Sequence, residues 1–411
     1  MATPNVPIGQ SAPDWIRAAR LLYLVAIGLF VVTIVIGILN GADAVEFDRN
    51  QILTHVHAGT VGWLTLVILA GTMILFRATD RRLVMAIAVL VPLYVLAFYT
   101  GNLPFRATSG TALLVGIGWL LVWLWRQFLG GERSLPRLAV TLGLTSFAYG
   151  AILGVLLQIA FAMGGTLPGN GIGAHASAMT FGYLVLVAFG FIEWRILGTT
   201  GLPKAGVVQV LALFFGGLVI SVALLVGAEQ AGGGIYLLAQ LVAVVLFAVR
   251  VWPTSLRTNW LAATPVRHMA AGSIWVVAAL IMFMYVVFTF ISQPATGLLI
   301  NILVASDHAV YLGVVTNGAI GFLTVLFLGR EERAGWIGHV IFWGLNVFLL
   351  IFVIGLVAES PELKRIGAPV MGIVLLGALA LLAYRAATAS DAKLAESATA
   401  LTPTGGGPEN V

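Results

Sequence analysis

The amino-acid sequence predicts an all-α polytopic membrane protein with twelve transmembrane helices in three pseudo-symmetric four-helix arcs. Of its 411 residues, 60% are hydrophobic and 9% are charged, and the mean hydropathy is +1.04. Soluble domains carry about 25% charged residues, so this composition excludes an ordinary soluble enzyme. The apolar residues also form long runs, each near the ~20 residues that a helix needs to cross a bilayer.

The runs divide the chain into three regions. Residues 1–18 are polar and predict a cytoplasmic N-terminal segment, without a cleavable signal-peptide pattern. Residues 19–386 form the predicted twelve-helix membrane domain. Residues 387–411 are rich in Ala, Thr and Gly and predict a disordered cytoplasmic tail. The predicted spans are 19–40, 54–77, 82–100, 108–129, 137–163, 174–197, 205–228, 233–251, 268–291, 306–329, 335–357 and 366–386.

The distribution of Lys and Arg predicts the orientation in the cell membrane. With both termini in the cytoplasm, 17 of the 21 basic residues lie on the inner side, and the other 4 are Arg49, Arg106, Lys364 and Arg365. We therefore interpret the net charge of +5 as a signal of orientation in the lipid bilayer, and we expect no nucleic-acid partner. Almost no charge falls in the middle of a predicted span, which argues against ion-coupled transport.

Four of the six histidines occupy related places in the chain. His55 and His57 lie at the predicted start of helix two, His175 at that of helix six and His308 at that of helix ten. Each group precedes a glycine by a few residues: Gly62, Gly182 or Gly313. Because every interval covers four spans, the chain is interpreted as three weakly similar four-helix units. His268 and His339 fall at inner ends and are interpreted, like Glu193, as interface residues.

Histidines at matched depth in an apolar bundle favour haem or metal ligation, since neutral imidazole is the usual nitrogen ligand of haem iron and copper. Structural polar contacts are the alternative. His55 and His57 point about 200° apart on a helix, so both cannot bind one ion from the same face. The deeper His57 is favoured slightly. Asp307, beside His308, could orient a ligand, and Lys364 and Arg365 could hold haem propionates or belong to a solvated loop.

The twelve spans and the histidines of helices two, six and ten resemble subunit I of the haem–copper oxidases, a superfamily that includes the nitric oxide reductases. The resemblance implies that His57 (or His55) and His308 are axial ligands of a low-spin haem b. It implies that Lys364 and Arg365 contact the haem propionates and that His175 binds copper. The family's histidine pair on helix seven is missing, however, and helix ten has one histidine where the family has two. A full binuclear oxygen-reducing centre is therefore not expected.

The resemblance implies respiratory electron transfer, or chemistry with a small gas ligand such as oxygen or nitric oxide. An enzyme of this type would be an oxidoreductase that receives electrons from a quinol or a cytochrome donor, with or without a partner membrane subunit. One alternative is a non-catalytic haem or copper membrane protein of nitric oxide response. Another is a small-solute permease without a cofactor, in which the histidines serve only as packing residues.

Overall fold

The structure is a computed structural model that describes residues 12–198, 201–293, 297–327 and 335–400. Within these ranges lie twelve helices that are long and apolar enough to cross a membrane. They are α1 (Asp14–Gly41), α2 (Arg49–Phe76), α3 (Arg81–Tyr99), α4 (Leu103–Gly130), α5 (Leu135–Ala162), α6 (Gly171–Leu197), α7 (Lys204–Val226), α8 (Glu229–Ser255), α9 (Val266–Ser292), α10 (Ile300–Phe327), α11 (Gly335–Val357) and α12 (Pro361–Thr388). The predicted all-α fold with twelve spans is confirmed.

Most helices begin earlier than hydropathy predicts, and in α2, α3, α4, α6 and α12 the side chain of a polar N-cap residue accepts a hydrogen bond from the first turn. Hydropathy starts the second span at residue 54, whereas α2 starts at Arg49. There Asp48 forms a capping box: its carboxylate accepts from the backbone N–H of Gln51, and the Gln51 side chain accepts from the backbone N–H of Asp48. The four histidines therefore do not open their helices. His57 is the ninth residue of α2 and lies about two turns inside it.

The second helix of each four-helix unit occupies the centre of the bundle. Buried residues make up 89% of the most apolar window of α2 and 78% of those of α6 and α10, against 33–67% for the other nine helices. The other nine surround these three, and the ring continues between units through contacts of α4 with α5, α8 with α9, and α12 with α1. The predicted units α1–α4, α5–α8 and α9–α12 thus share one arrangement.

A π-helix of eight residues interrupts each central helix at the same point. The three segments are Ala58–Thr65 in α2, Ala178–Val185 in α6 and Ala309–Thr316 in α10. Gly62, Gly182 and Gly313 are the fifth residue of their segments, and each lies against the first helix of its own unit, at Leu29, Ser146 and Trp275 respectively. These segments therefore set a common register for the three units, and π-helices of this kind occur frequently at functional sites.

The central helices define three sectors of the bundle. The first sector lies between α2 and α6 and is walled by α3, α4 and α5. The second lies between α6 and α10 and is walled by α7, α8 and α9. The third lies between α10 and α2 and is walled by α11, α12 and α1. We call the end at which α2, α6 and α10 begin the histidine face, and the other end the opposite face.

Direct bonds join the central helices to one another. Trp63 of α2 donates its indole N–H to the Thr316 hydroxyl of α10 at 2.8 Å and stacks on Phe30 with ring centroids 4.5 Å apart. Tyr311 of α10 and Thr180 of α6 approach through their hydroxyls at 3.4 Å. On the outside of the bundle the exposed side chains include many Val, Leu, Ile and Phe, as a surface in contact with a lipid bilayer requires.

The C-terminal region differs from its prediction. Residues 387–411 were expected to be disordered, but α12 continues to Thr388 and a further helix, α13, spans Asp391–Ala400. Leu394 of α13 is fully buried, and the carboxylate of Asp391 accepts from the Arg17 guanidinium at 2.8 Å. Composition alone missed this helix because one leucine and one ion pair attach it to the bundle. Residues 401–411 and 1–11 lie outside the described residues.

Candidate functional site

The register set by the π-helices sorts the four histidines into two positions. His57 and His308 directly precede the π-helix of their unit, and we call this the lower position. His55 and His175 lie three residues before the π-helix, at the upper position. Ser177 occupies the lower position of the second unit, and Ser306 occupies the upper position of the third unit. His175 therefore corresponds to His55, and the glycine spacings agree, since each of these two lies seven residues before the glycine of its unit, whereas His57 and His308 lie five residues before theirs.

The upper-position histidines bond to the first helix of their own unit. The Nδ1 atom of His55 lies 2.9 Å from the carbonyl oxygen of Thr33 in α1, and that of His175 lies 2.8 Å from the carbonyl oxygen of Gly150 in α5. In the common register Thr33 and Gly150 are equivalent, since each lies four residues after the residue that meets the π-helix glycine. The same contact has thus formed twice in one chain.

A glycine makes room for each of these rings. A Cβ atom on Gly37 would lie 3.1 Å from Cε1 of His55, and one on Gly154 would lie 2.8 Å from Cε1 of His175. Both glycines are one turn beyond the bonded carbonyl. In the third unit the equivalent residue is Phe283, and the upper position there is Ser306. The glycine that makes room for a histidine ring in two units is therefore a phenylalanine in the third, where the histidine is a serine.

The lower-position histidines bond to their own helix and lean on the following helix. Nδ1 of His57 lies 2.8 Å from the carbonyl oxygen of Leu53, and Nδ1 of His308 lies 2.8 Å from that of Val304. The His57 ring stacks on Phe98 of α3 with centroids 3.6 Å apart, whereas His308 meets Phe352 of α11 edge-on at 5.1 Å.

These hydrogen bonds fix the tautomer of all four rings. A carbonyl oxygen only accepts, so each Nδ1 carries the proton, and in the neutral ring Nε2 keeps its lone pair. Among the described residues no hydrogen bond is formed at any of these Nε2 atoms. A ring that donates one N–H to a carbonyl and presents its other nitrogen is the usual arrangement of a metal-ligating histidine.

The orientations of the rings pair the histidines by sector. His55 leans on α1 and His308 on α11, so both belong to the third sector. His57 leans on α3 and His175 on α5, so both belong to the first sector, where both line one cavity. Among the described residues the partner of His308 across its sector is thus His55, and His57 is directed to His175.

A cavity of about 830 Å³ occupies the first sector and extends towards the second. His57 and His175 both line it, among mostly apolar and aromatic side chains that include Tyr94, Phe98 and Phe147. Sites for small molecules and cofactors in proteins measure about 300–1,000 Å³ and combine apolar walls with a few polar groups. The space is therefore large enough for a large planar ligand between the two imidazoles.

Arg106 forms part of the cavity wall near the histidine face. Its side chain is buried and donates to the carbonyl oxygens of Phe98 at 2.7 Å and Ala97 at 3.3 Å and to the side-chain oxygen of Asn50 at 2.8 Å. Its Cζ lies 4.6 Å from the centroid of the Phe98 ring. Within the described residues no carboxylate lies at ion-pair distance from it. The sequence placed Arg106 only among the outer basic residues and did not assign it to the site.

The predicted basic pair, Lys364 and Arg365, lies in the first two turns of α12 rather than in a loop before it. Arg365 donates from Nε to the carboxylate of Asp43 at 2.8 Å, and both side chains are more than half exposed. Lys364 is half-buried at the start of the same helix. Lys364 and Arg365 lie at the histidine face on α12, which is one wall of the third sector. His55 and His308 belong to the same sector.

The second sector has other polar groups where the first and third have histidines. Ser177 and Ser306 take the histidine positions, and the carboxylate of Asp307 lies against the hydroxyl of Tyr311. Asp307 also lines the large cavity, at its end towards this sector. Asp307 therefore contacts Tyr311 rather than supporting the ring of the adjacent His308.

Polar clusters at the opposite face correct two predictions, the placement of Glu193 and of His268 at the interface. Glu193 is buried rather than at the interface, and its carboxylate accepts from Arg250 at 2.9 and 3.0 Å and from Gln209 at 2.7 Å. His268 is also buried and lies 3.0 Å from the side-chain oxygen of Asn317, while Nδ1 of His339 accepts from Arg267 at 3.0 Å. Hydropathy placed these groups at helix ends, but it could not show that the ends of neighbouring helices cover them.

The chain matches no known protein-family model and no curated protein sequence. Within the described residues there is no cluster of three or more His, Cys, Asp and Glu side chains suited to a metal ion. A bis-histidine haem site has only two protein ligands, so such a site does not require a cluster of that size.

Proposed function

We propose that the protein is a haem-binding protein of the cytoplasmic membrane, with both termini in the cytoplasm. His55 and His308 are the proposed axial ligands of a haem b in the third sector. The observation that carries the proposal is their geometry: each ring donates Nδ1–H to a backbone carbonyl, keeps Nε2 for a ligand and lies on its own wall of one sector. A haem held in this way supplies a one-electron redox centre.

The residues around this pair determine the position of the two rings. The ring of His55 lies against α1, where it bonds to the carbonyl of Thr33 and occupies the space left by the missing side chain of Gly37. The ring of His308 contacts Phe352. Lys364 and Arg365 provide positive charge at the histidine face for the propionates, in competition with Asp43 for Arg365. This set supports electron transfer from a quinol or a cytochrome, or reaction with oxygen or nitric oxide where one ligand is displaced.

The test is the visible spectrum of the folded protein purified in mild detergent after expression with ample haem. We expect a Soret band and a sharp reduced band of haem b, with the haem type identified as its pyridine haemochrome. Replacing His308 or His55 by Ala should remove this haem from the third sector. The matched control is His339→Gln, which changes a histidine at the opposite face and should keep the spectrum.

A folded but colourless protein would overturn the proposal and favour the permease. If haem is present, consumption of oxygen or nitric oxide with a reduced quinol separates a reductase from a non-catalytic protein of nitric oxide response. Full haem retention in both His55→Ala and His308→Ala would also contradict the assignment of the ligands.

A further inference from the structure

The first sector holds a second histidine pair that shares no residue with the pair assigned above. His57 and His175 line one cavity of about 830 Å³, and each has Nδ1 bonded to a carbonyl oxygen. Their Nε2 atoms are the ligand nitrogens that remain. In the register of the units, a lower-position histidine of one unit and an upper-position histidine of the next face a common sector, as His308 and His55 do.

The histidine-face end of this cavity is positively charged. Arg106 is buried in the wall without a carboxylate at ion-pair distance among the described residues, and Arg49 lines the same cavity from a more exposed position. A buried cation without an opposite charge is costly in an apolar bundle. An anionic group of a ligand at this end would form a charge-assisted hydrogen bond with Arg106 and offset that cost.

The walls between the cation and the histidines suit a large flat ring. Phe98 contacts both the His57 ring and the Arg106 guanidinium, and Tyr94 and Phe147 line the same space. Gly154 leaves the space in which the ring of His175 lies, because a Cβ there would approach Cε1 to 2.8 Å. The cavity thus combines two imidazole nitrogens, apolar walls and a cation at one end.

We propose that His57 and His175 bind a second iron porphyrin in this cavity, with Arg106 binding its carboxylates. The ligand class follows from the site: two neutral nitrogen ligands for iron, a large apolar space for the macrocycle and a buried cation for its acid groups. The protein then carries two bis-histidine haems, one in the first sector and one in the third. The second sector, with Ser177, Ser306 and Phe283 at the equivalent places, carries none.

The experiment is a haem count per folded chain in four single variants of the full-length protein. The wild type, reconstituted with excess haem, should bind two equivalents by the pyridine haemochrome assay and show two components in a redox titration. His57→Ala and His175→Ala should each reduce the count to one and remove the same component. His55→Ala and His308→Ala should remove the other, so the two proposals can fail separately.

The variant Arg106→Gln tests the proposed contact with the haem carboxylates without removing an iron ligand. It should keep the second haem but shift its midpoint potential, because a charge beside the carboxylates is removed, and it should leave the third-sector component unchanged. Where a His→Ala variant does not fold, His57→Met and His175→Met replace it, with the low-spin EPR signal of the bis-histidine iron as the readout.

One haem per chain in the reconstituted wild type would overturn the inference, as would an unchanged count in both His57→Ala and His175→Ala. One equivalent of copper lost in these two variants would overturn it in favour of a copper site. A bound quinone with one haem would overturn it in favour of a quinol site.

Discussion

At the scale of single residues, the backbone partner of each histidine matters more than its burial. All four rings are half-buried, but two bond to a neighbouring helix and two bond to their own. This difference sends His55 and His57, two residues apart, into different sectors. The divergence of about 200° on a helix was evident from the sequence, and the carbonyls of Thr33 and Leu53 give each direction a fixed partner.

Gly154 tests whether the space beside His175 is required. Gly154→Leu should displace the ring and abolish haem binding in the first sector, because even a Cβ at this place lies 2.8 Å from Cε1. Loss of one haem equivalent with an unchanged third-sector spectrum is the expected result. The matched control is Gly118→Leu in α4, where an added Cβ meets no atom within 4 Å. Equal haem content in both variants would contradict the assigned role.

Arg250 tests the buried ion pair at the opposite face. Arg250→Ala leaves the carboxylate of Glu193 without its main cation in a buried place, so we expect the unfolding free energy to fall by about 3–5 kcal/mol. Denaturation of the protein in mixed micelles measures this change. Asp43→Asn breaks an exposed ion pair instead and should cost at most about 1 kcal/mol. Comparable losses of unfolding free energy in the two variants would show that burial does not determine how much the Glu193–Arg250 pair contributes to stability.

At the scale of elements, the π-helices explain why the three central helices can be aligned residue by residue. A π-helix inserts an extra residue into the turn, and all three insertions begin directly after the lower position. The preceding segment thus keeps the same rotation relative to the rest of its helix in every unit. Equivalent positions then reach equivalent sectors. The glycine spacings in the sequence give the same register of positions but not the sectors that these positions face.

The short helix α13 is held by few contacts. Leu394→Asp should release it, because the single buried leucine is its main apolar contact with the bundle. Hydrogen exchange monitored by mass spectrometry should show faster exchange across 391–400 and unchanged exchange in α10. Glu396→Gln alters an exposed side chain of the same helix and should leave exchange as it is. If Leu394→Asp left the exchange rates unchanged, the buried leucine would not be the contact that holds α13.

At the scale of the whole molecule, the absence of cysteine permits a direct test of orientation. We expect Glu362→Cys, at the start of α12 on the histidine face, to react with an impermeant maleimide in intact spheroplasts. Glu396→Cys, in α13 on the opposite face, should react only after permeabilisation. The reverse pattern would place the proposed haems near the cytoplasmic side and contradict the orientation predicted from Lys and Arg.

The sequence by itself determined the membrane class, the number of spans and the division into three units. Each of these depends on local composition: the length of an apolar run, the presence of charge at its ends and the recurrence of a short pattern. The sequence also selected the four histidines. It did not select Gly37, Gly154 or Arg106, because nothing in their local surroundings distinguishes them from other glycines and arginines.

Only the tertiary structure decided which histidines share a sector. Pairing depends on how neighbouring helices rotate, and that rotation is set by contacts between residues far apart in the chain, such as His175 with Gly150 and Gly154. The same holds for Glu193 and His268, whose burial comes from adjacent helices rather than from their own. Hydropathy reports the cost of placing a residue in lipid, but it carries no information about the neighbour that removes the cost.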